Sequence, residues 1–254
     1  MIRFIYKILK FYGEPYECNI CSTRVRRFFP FSNDLQESAK KSNFAYGFDR
    51  METLNLENCN CPFCLSSDRE RLYALFLDKY FSENPHSVFK MLDFAPNLAF
   101  SSYFKSKKNV RYQSADLFRT DMDLQIDVCH MYAVQDETYE IVICSHVLEH
   151  VKAPARAMNE LFRVLKNGGL AIIMVPLFQD VEHTIEDSSH VTDEERTHYY
   201  GQYDHVRLYA RKDFLGQIKQ AGFSLKEYTT KDFDGSAIQK HAIALNSVLY
   251  VGYK

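Results

Sequence analysis

The sequence has only nine glycines among its 254 residues, and no two of them are spaced as G-x-G. A dinucleotide fingerprint of the G-x-G-x-x-G type is therefore absent, and so is a Walker P-loop, which requires G-x-x-x-x-G-K. The G-x-S-x-G elbow of the α/β-hydrolases is also missing. These absences exclude the common glycine-based phosphate sites and the commonest hydrolase site.

The chain also lacks an excess of basic charge and a long apolar run. Its formal net charge is −2, so it has no surplus cations to neutralise a phosphate backbone, and we expect no nucleic-acid partner. No stretch of 18 apolar residues occurs, which predicts no transmembrane span. Residues 1–15 form an amphipathic segment in which Arg3, Lys7 and Lys10 share one helical face. We expect it to pack on its own domain, with weak contact to a membrane surface as the alternative. No small-residue cleavage site follows, which predicts a cytoplasmic protein.

Cysteine is the first residue type that stands out, because five of the seven cysteines precede residue 65. Two C-x-x-C turns present four thiols, the usual arrangement for one tetrahedral zinc ion. We predict a structural zinc site within a ribbon-like module at residues 16–70, with Cys59 as an alternative fourth ligand. Disulfides are disfavoured without a secretion signal. The predicted ligands are Cys18, Cys21, Cys61 and Cys64.

A long insertion, Ser22 to Glu57, separates the two C-x-x-C turns. Its sequence predicts a loop whose aromatic side chains pack against the larger domain. The predicted anchors are Phe28, Phe29, Phe31, Phe44, Tyr46 and Phe48.

From residue 71 to 254 the hydrophobic period alternates between that of helices and that of strands. The alternation predicts an α/β fold with a doubly wound, Rossmann-like, mostly parallel sheet of seven strands. Residues 177–208 are polar, rich in histidine and irregular, which indicates an inserted lid. The predicted strands are 88–94, 110–115, 124–128, 139–144, 170–175, 223–229 and 242–250, and the predicted helices are 69–81, 97–105, 147–165 and 212–221.

In such folds ligands bind beyond the carboxyl ends of the strands. Three predicted strands end at or near an acidic residue, namely Asp93, Asp116 and Asp127. Asp116 lies 23 residues after Asp93, the position at which a carboxylate accepts hydrogen bonds from a ribose diol. A fourth strand leads directly into Cys144-Ser145-His146.

The run from Val88 onward resembles a class I S-adenosylmethionine-dependent methyltransferase of the type-11 group. The resemblance rests on the order of the strand-end acids, on YEIVICSHVLEHV, and on NELFRVLKNGGLAIIMVP. Together with EERTHYYGQYDHVRLYARKDF and the paired C-x-x-C turns, it is similar to a subgroup with an N-terminal zinc-ribbon-like module, often found in bacterial polysaccharide and natural-product pathways. The cofactor-binding residues that this implies are Asp93, Ala95, Asn97, Asp116, Leu117, Asp127, Val128, Cys144, Ser145 and His146.

One motif departs from the family pattern, which reads D-x-G-x-G-x-G where this chain has Asp93-Phe94-Ala95-Pro96-Asn97. A left-handed backbone there would let the chain approach the cofactor closely, and Asn97 is the expected left-handed residue.

The resemblance implies methyl transfer from S-adenosylmethionine to a small-molecule or saccharide-type acceptor. A general base assists a hydroxyl acceptor, and either His146 or His205 is expected to be this base. The predicted catalytic residues are His146, His205 and Glu149. Arg207 is a candidate for holding a phosphate or carboxylate on the acceptor.

Three other interpretations stay open at this point. His146-Val-Leu-Glu149-His150 matches the H-x-x-E-H motif, in which two histidines on one helix face bind a catalytic zinc. The lid could bind a divalent metal through its histidines and acids, which are His183, His190, His198, His205, Glu182, Asp187 and Asp193. The missing glycines also permit a catalytically inactive, partner-binding protein that keeps the fold.

Overall fold

A computed structural model describes residues 10–254, so most of the predicted amphipathic segment lies outside the described residues. The main sheet has seven strands, which are β3 (Phe89–Phe94), β4 (Val110–Asp116), β5 (Leu124–Gln125), β6 (Tyr139–Ser145), β7 (Leu165–Met174), β8 (Ser224–Thr229) and β9 (Val248–Tyr253). Their order in the sheet is β5-β4-β3-β6-β7-β9-β8. The five strands from β5 to β7 are parallel, while β9 runs antiparallel to both β7 and β8. The predicted doubly wound, mostly parallel sheet is confirmed.

A small antiparallel hairpin precedes the large sheet and carries the first C-x-x-C turn. It consists of β1 (Tyr12–Cys18) and β2 (Thr23–Val25). Its buried residues Cys18, Val25 and nearby Phe28 belong to the same hydrophobic cluster as the central strands. The cysteine region and the sheet therefore share one core.

Within residues 10–254, α-helices lie along the chain before and between the strands of the sheet and in the insertion that separates the two C-x-x-C turns. They are α1 (Asn33–Lys41), α2 (Asp68–Glu83), α3 (Leu98–Lys105), α4 (Pro154–Val164), α5 (Asp193–Tyr200), α6 (Arg211–Gln220) and α7 (Gly235–Lys240). A capping box starts α2, because the Ser67 hydroxyl accepts from the Glu70 N–H and the Glu70 carboxylate accepts from the Ser67 N–H. This signature of a helix start explains why the predicted helix at 69–81 was placed correctly. None of the helices in residues 10–254 combines the length and the hydrophobicity of a membrane span.

Several sequence predictions of secondary structure were wrong in detail. The strand predicted over 124–128 extends only over Leu124–Gln125, and the strand predicted over 170–175 starts at Leu165. The segment 177–208, predicted as irregular, contains α5. The helix predicted over 147–165 starts only at Pro154, because residues 148–150 form a separate 3₁₀ turn and proline fits the first turn of a helix. The strand predicted over 242–250 starts at Val248. The short helix α7 lies before it, and its start at Asp234, whose side chain accepts from the Ser236 N–H, was missed.

The insertion between the C-x-x-C turns is anchored by its aromatic side chains, as predicted. Phe44 and Phe48 contact Phe178 from residues 177–208, which are called the covering segment below, with ring centroids 5.4 and 5.9 Å apart. They pack on a second hydrophobic cluster that includes Met51, Phe178 and Leu208. The insertion is not entirely loop, however, because it contains β2 and α1.

Arg71, on α2, is fully buried and joins distant parts of the chain. Its guanidinium lies 3.9 Å from the centre of the Phe28 ring. It donates hydrogen bonds to backbone carbonyls on both sides, those of Asn58, Cys59 and Ser66 and those of His241 and Ala242. A buried cation of this kind is tolerated because each donor finds an acceptor.

Candidate active site and metal centre

The strand order reverses between β3 and β6, which lie side by side. From β3 the chain continues to β4, toward one edge of the sheet, and from β6 it continues to β7, toward the other edge. Ligands of open α/β sheets bind at such a switch point. Both strand ends there carry a left-handed residue that is not glycine, Ala95 with φ 51° and His146 with φ 55°. Residues held in this region cluster at functional sites. The left-handed residues and the topology therefore indicate the same site, at the carboxyl ends of β3 and β6, which is called the crevice below.

The prediction that Asn97 is left-handed was wrong. Asn97 has φ −69° and ψ 142° and forms the N-cap of α3, where its side-chain oxygen accepts from the Ala99 N–H at 2.8 Å. An N-cap requires an extended backbone, so the positive φ falls on Ala95 instead. The Asn97 side chain also donates to the Leu65 carbonyl beside the second C-x-x-C turn, at 3.4 Å.

Asp93, the acid at the end of β3, lies beneath the crevice. It is 2% exposed, and the Tyr112 hydroxyl donates to its Oδ2 at 2.8 Å. Burial raises the pKa of this carboxyl well above its usual value.

Asp116, at the end of β4, is half-buried, and its side chain stabilises the turn that follows the strand. Its Oδ1 accepts the N–H groups of Phe118 and Arg119 at 2.7 and 2.9 Å, and its Oδ2 has no hydrogen-bond partner among the described residues. Leu117 and Phe118 follow with 46% and 82% of their surfaces exposed. The sequence prediction named Leu117 and did not name Phe118, although a phenylalanine two residues after a strand-end acid is visible in the sequence.

Asp127 and Val128 lie beyond the short strand β5. Asp127 Oδ1 accepts the Cys129 N–H at 2.8 Å, and Oδ2 lies 3.0 Å from His130 Nδ1. Burial opposes ionisation of Asp127, but these hydrogen bonds hold the pKa of its carboxyl below the usual value. Val128 is buried.

The end of β6 carries three predicted residues in three different surroundings. Cys144 is fully buried. Ser145 Oγ lies 2.9 Å from the Tyr73 hydroxyl on α2. His146 exposes 15% of its side chain, and its Nδ1 lies 3.4 Å from Glu149 Oε1. Burial lowers the pKa of His146 well below its usual value, so the imidazole is neutral.

The structure brings His146, Glu149 and His205 together, because the covering segment folds back onto the 3₁₀ turn after β6. The Val206 N–H donates to the Glu149 carbonyl at 2.9 Å. The rings of His150 and His205 meet edge to face with centroids 4.8 Å apart. Burial raises the pKa of Glu149 to about 7 and lowers that of His205 to about 4.

Arg207 has a different role from the predicted one. It is 1% exposed, and its guanidinium donates to Glu186 and to the carbonyls of Leu148 and Val151. The two carbonyls bind one side of the guanidinium, and the half-exposed Glu186 neutralises its charge. Arg207 therefore fixes the covering segment on the turn after β6 and presents no cation to an acceptor.

Two of the alternative metal sites are not formed. The H-x-x-E-H motif requires an α-helix, and residues 148–150 form a single 3₁₀ turn. The lid histidines do not converge: His190 stacks on Tyr199 with centroids 3.8 Å apart, whereas the His198 Nδ1 lies 2.7 Å from the Ser42 carbonyl oxygen.

The four predicted zinc ligands, in contrast, converge. The sulfur atoms of Cys18, Cys21, Cys61 and Cys64 all lie within 4.8 Å of one another. Two of the separations are 3.7 Å (Cys18 to Cys64) and 3.8 Å (Cys21 to Cys61). Four sulfurs placed tetrahedrally at about 2.3 Å from zinc would be about 3.8 Å apart. The cluster therefore has the dimensions of a tetrathiolate zinc site.

Cys59 is not part of this cluster. Its Sγ donates to Asp68 Oδ1 at 3.7 Å, and burial raises the pKa of its thiol to about 12. Its sulfur is not among the four that converge, so the structure does not place Cys59 as the fourth ligand.

Comparison with known proteins gives a family. A family model described as a methyltransferase domain matches residues 60–228. A search of the curated proteins found no match.

Solved structures with a similar fold share little sequence with this chain. One is a SAM-dependent methyltransferase from Archaeoglobus fulgidus, with 11% identity, TM-score 0.46, and coverage of 74% of this chain and 95% of that one. The cyclase SpnF has 14% identity, TM-score 0.48, and coverage of 82% and 77%. Phosphoethanolamine N-methyltransferase 2 of Haemonchus contortus, solved with S-adenosyl-L-methionine, has 15% identity, TM-score 0.45, and coverage of 70% and 51%.

Proposed function

The chain belongs to the methyltransferase-domain family, and from this we propose that it transfers the methyl group of S-adenosylmethionine to a hydroxyl oxygen of a small acceptor. When bound, the cofactor supplies a methyl group on a positively charged sulfur. The observation that supports an oxygen acceptor is the position of His146, whose partly exposed imidazole lies at the end of β6 on a residue with a left-handed backbone. An imidazole at the switch point can take the proton that a hydroxyl loses on methylation.

The residues of the crevice fit this cofactor. The unpartnered Oδ2 of Asp116 suits the hydroxyls of a ribose, and exposed Leu117 and Phe118 next to it suit the face of a purine. The left-handed Ala95 turns the chain back at the β3 end, where the family has glycine. We assign Asp93, Asp127, Val128, Cys144 and Ser145 to the walls and support of the same site.

Glu149 and His205 complete the proposed catalytic group. Glu149 Oε1 lies 3.4 Å from His146 Nδ1, which suits a carboxylate that orients the imidazole. His205 enters from residues 177–208, and we propose that this segment covers the acceptor. The choice of a saccharide-type acceptor from a polysaccharide or natural-product pathway rests on the sequence resemblance.

We further propose that residues 16–70 form a module around one structural zinc ion. The four cysteine sulfurs at tetrahedral spacing support it. All four ligands come from the protein, so no coordination position is left for a substrate, and the zinc supports the fold rather than the reaction.

Calorimetric titration with S-adenosylhomocysteine tests the cofactor first. Binding at one site in the micromolar range would support the proposal and justify screening acceptors, beginning with nucleotide sugars. No binding at millimolar ligand would refute it and favour an inactive, partner-binding protein.

The base is tested by His146→Asn with the acceptor found in that screen. Loss of the proton acceptor is expected to lower kcat by about 10²- to 10⁴-fold. The affinity for S-adenosylhomocysteine should change by less than about 1 kcal/mol, or roughly fivefold. An unchanged kcat would remove His146 from the mechanism.

A further inference from the structure

Three ligand-forming side chains meet beside His146. Glu149 and His150 come from the 3₁₀ turn after β6, and His205 comes from the covering segment. One ligand atom of each lies within 4.8 Å of the others. In residues 10–254 this is the one group of metal-binding type besides the cysteine cluster.

The carboxylate of Glu149 is buried without a hydrogen bond from a described residue, and its Oε1 lies 3.4 Å from His146 Nδ1. It is 1% exposed, and neither Oε1 nor Oε2 accepts a hydrogen bond from any described residue. Leaving a buried polar group unsatisfied is destabilising, and more so when the group is charged. Such a group in a native structure calls for an explanation, and a bound cation is one.

Both histidines are oriented by hydrogen bonds to backbone carbonyls. The Nδ1 of His150 lies 3.0 Å from the Asp204 oxygen, and the Nδ1 of His205 lies 3.3 Å from the Tyr200 oxygen. A carbonyl only accepts, so in each neutral ring Nδ1 carries the proton and the lone pair is on Nε2. Histidines that bind metals are fixed in this way, with one ring nitrogen donating to a carbonyl and the other free to coordinate.

We propose that Glu149, His150 and His205 bind one divalent transition-metal ion. Two imidazoles and one carboxylate are a donor set for first-row metals, and three protein ligands leave open coordination positions. The charge of the ion would offset the buried carboxylate. The site joins the turn after β6 to the covering segment, so the ion would also hold that segment in place.

An ion here would reach the acceptor side of the crevice, because Glu149 also lies beside His146. An open coordination position would bind the acceptor hydroxyl and lower its pKa. This second step rests on the proposed function, whereas metal binding does not.

Cobalt(II) titration of protein that carries a single equivalent of zinc tests the site. Four thiolates bind zinc more tightly than two imidazoles and a carboxylate do, so this zinc would be held by the cysteines, and cobalt entering the Glu149 site should give visible d–d absorption without the sulfur-to-cobalt charge-transfer band of a thiolate site. We expect one equivalent bound. The affinity should fall by at least about tenfold in Glu149→Gln and in His205→Asn, because each variant loses a ligand. His183→Asn, an exposed histidine on the same segment, is the matched control and should bind cobalt as the wild type does.

Glu149→Gln keeps the size of the side chain and removes a buried unpaired charge, so the variant should fold. Cobalt should raise the Tm of the wild type and leave that of Glu149→Gln unchanged. The proposal is overturned if the wild type and Glu149→Gln bind cobalt equally, if cobalt enters only with the charge-transfer band, or if none binds. Titration with S-adenosylhomocysteine in the same samples reports the cofactor site separately, so the failure of one proposal is distinguished from the failure of the other.

Discussion

Replacing Asp116 by asparagine isolates the one oxygen that we assign to the cofactor. In the structure Asp116 Oδ1 accepts the N–H groups of Phe118 and Arg119, while Oδ2 is unpartnered within residues 10–254. The amide oxygen of an asparagine can keep the first two bonds. The variant therefore retains the turn after β4 and loses the charge and the second acceptor.

The magnitude follows from the bonds that are lost. Hydrogen bonds to a charged group contribute about 1.5–3 kcal/mol, which corresponds to a Kd for S-adenosylhomocysteine that is roughly 10- to 150-fold weaker. Calorimetry gives this Kd directly. Asp116→Ala should weaken binding at least as much and should also lower the Tm, because it removes the acceptor for two backbone N–H groups.

Asp136→Asn is the control, because this exposed carboxylate precedes β6 at the opposite end of the sheet and pairs only with Arg163 among the described residues. Its Kd should equal that of the wild type. The reasoning is refuted if Asp116→Asn binds S-adenosylhomocysteine as the wild type does while its Tm is unchanged.

Three further predictions concern stability. Cys64→Ser should lose the zinc and unfold at lower temperature, since zinc binding contributes on the order of 10 kcal/mol in small modules, whereas Cys59→Ser should retain one zinc per chain by metal analysis. Arg207→Met should lower the free energy of urea unfolding by about 2–5 kcal/mol, because two buried carbonyls lose their donor; a raised KM for the acceptor without loss of stability would contradict this. Burial raises the pKa of Asp93, so its stabilising effect is present at low pH and is lost as the pH rises above about 4. Asp93→Asn should therefore gain stability relative to the wild type between pH 5 and pH 8, and a constant difference in unfolding free energy would oppose that assignment.

The sequence predicted the sheet well because its buried strands and helix signals are local. The apolar run at 139–144 is typical of a buried parallel strand, and the apolar residues of 69–81 recur at helical spacing. The cysteine ligands were also predictable, because two C-x-x-C turns impose their own geometry.

The parts that the sequence mispredicted depend on contacts between distant residues. Asparagine suits both a helix N-cap and a left-handed turn, and in the structure the Asn97 side chain also donates to the carbonyl of Leu65, 32 residues earlier in the chain. Arginine commonly binds anionic ligands, but the guanidinium of Arg207 is already bonded to Glu186 and to two backbone carbonyls. The grouping of Glu149, His150 and His205 needs residues 55 positions apart to meet, and no pattern along the chain predicts it.

The position of Arg71 has a practical consequence for anyone wishing to shorten the gene. A fragment starting at residue 71 would keep the arginine and discard Asn58, Cys59 and Ser66, whose carbonyls receive part of its hydrogen bonds. It would also lose Phe28, on which the guanidinium is stacked. The guanidinium would then be exposed at the new amino terminus, and the hydrophobic core would lose the residues of the cysteine region that pack on it. Soluble expression of the catalytic part, and any attempt to graft it onto another protein, therefore requires the cysteine-containing region to be carried along with it.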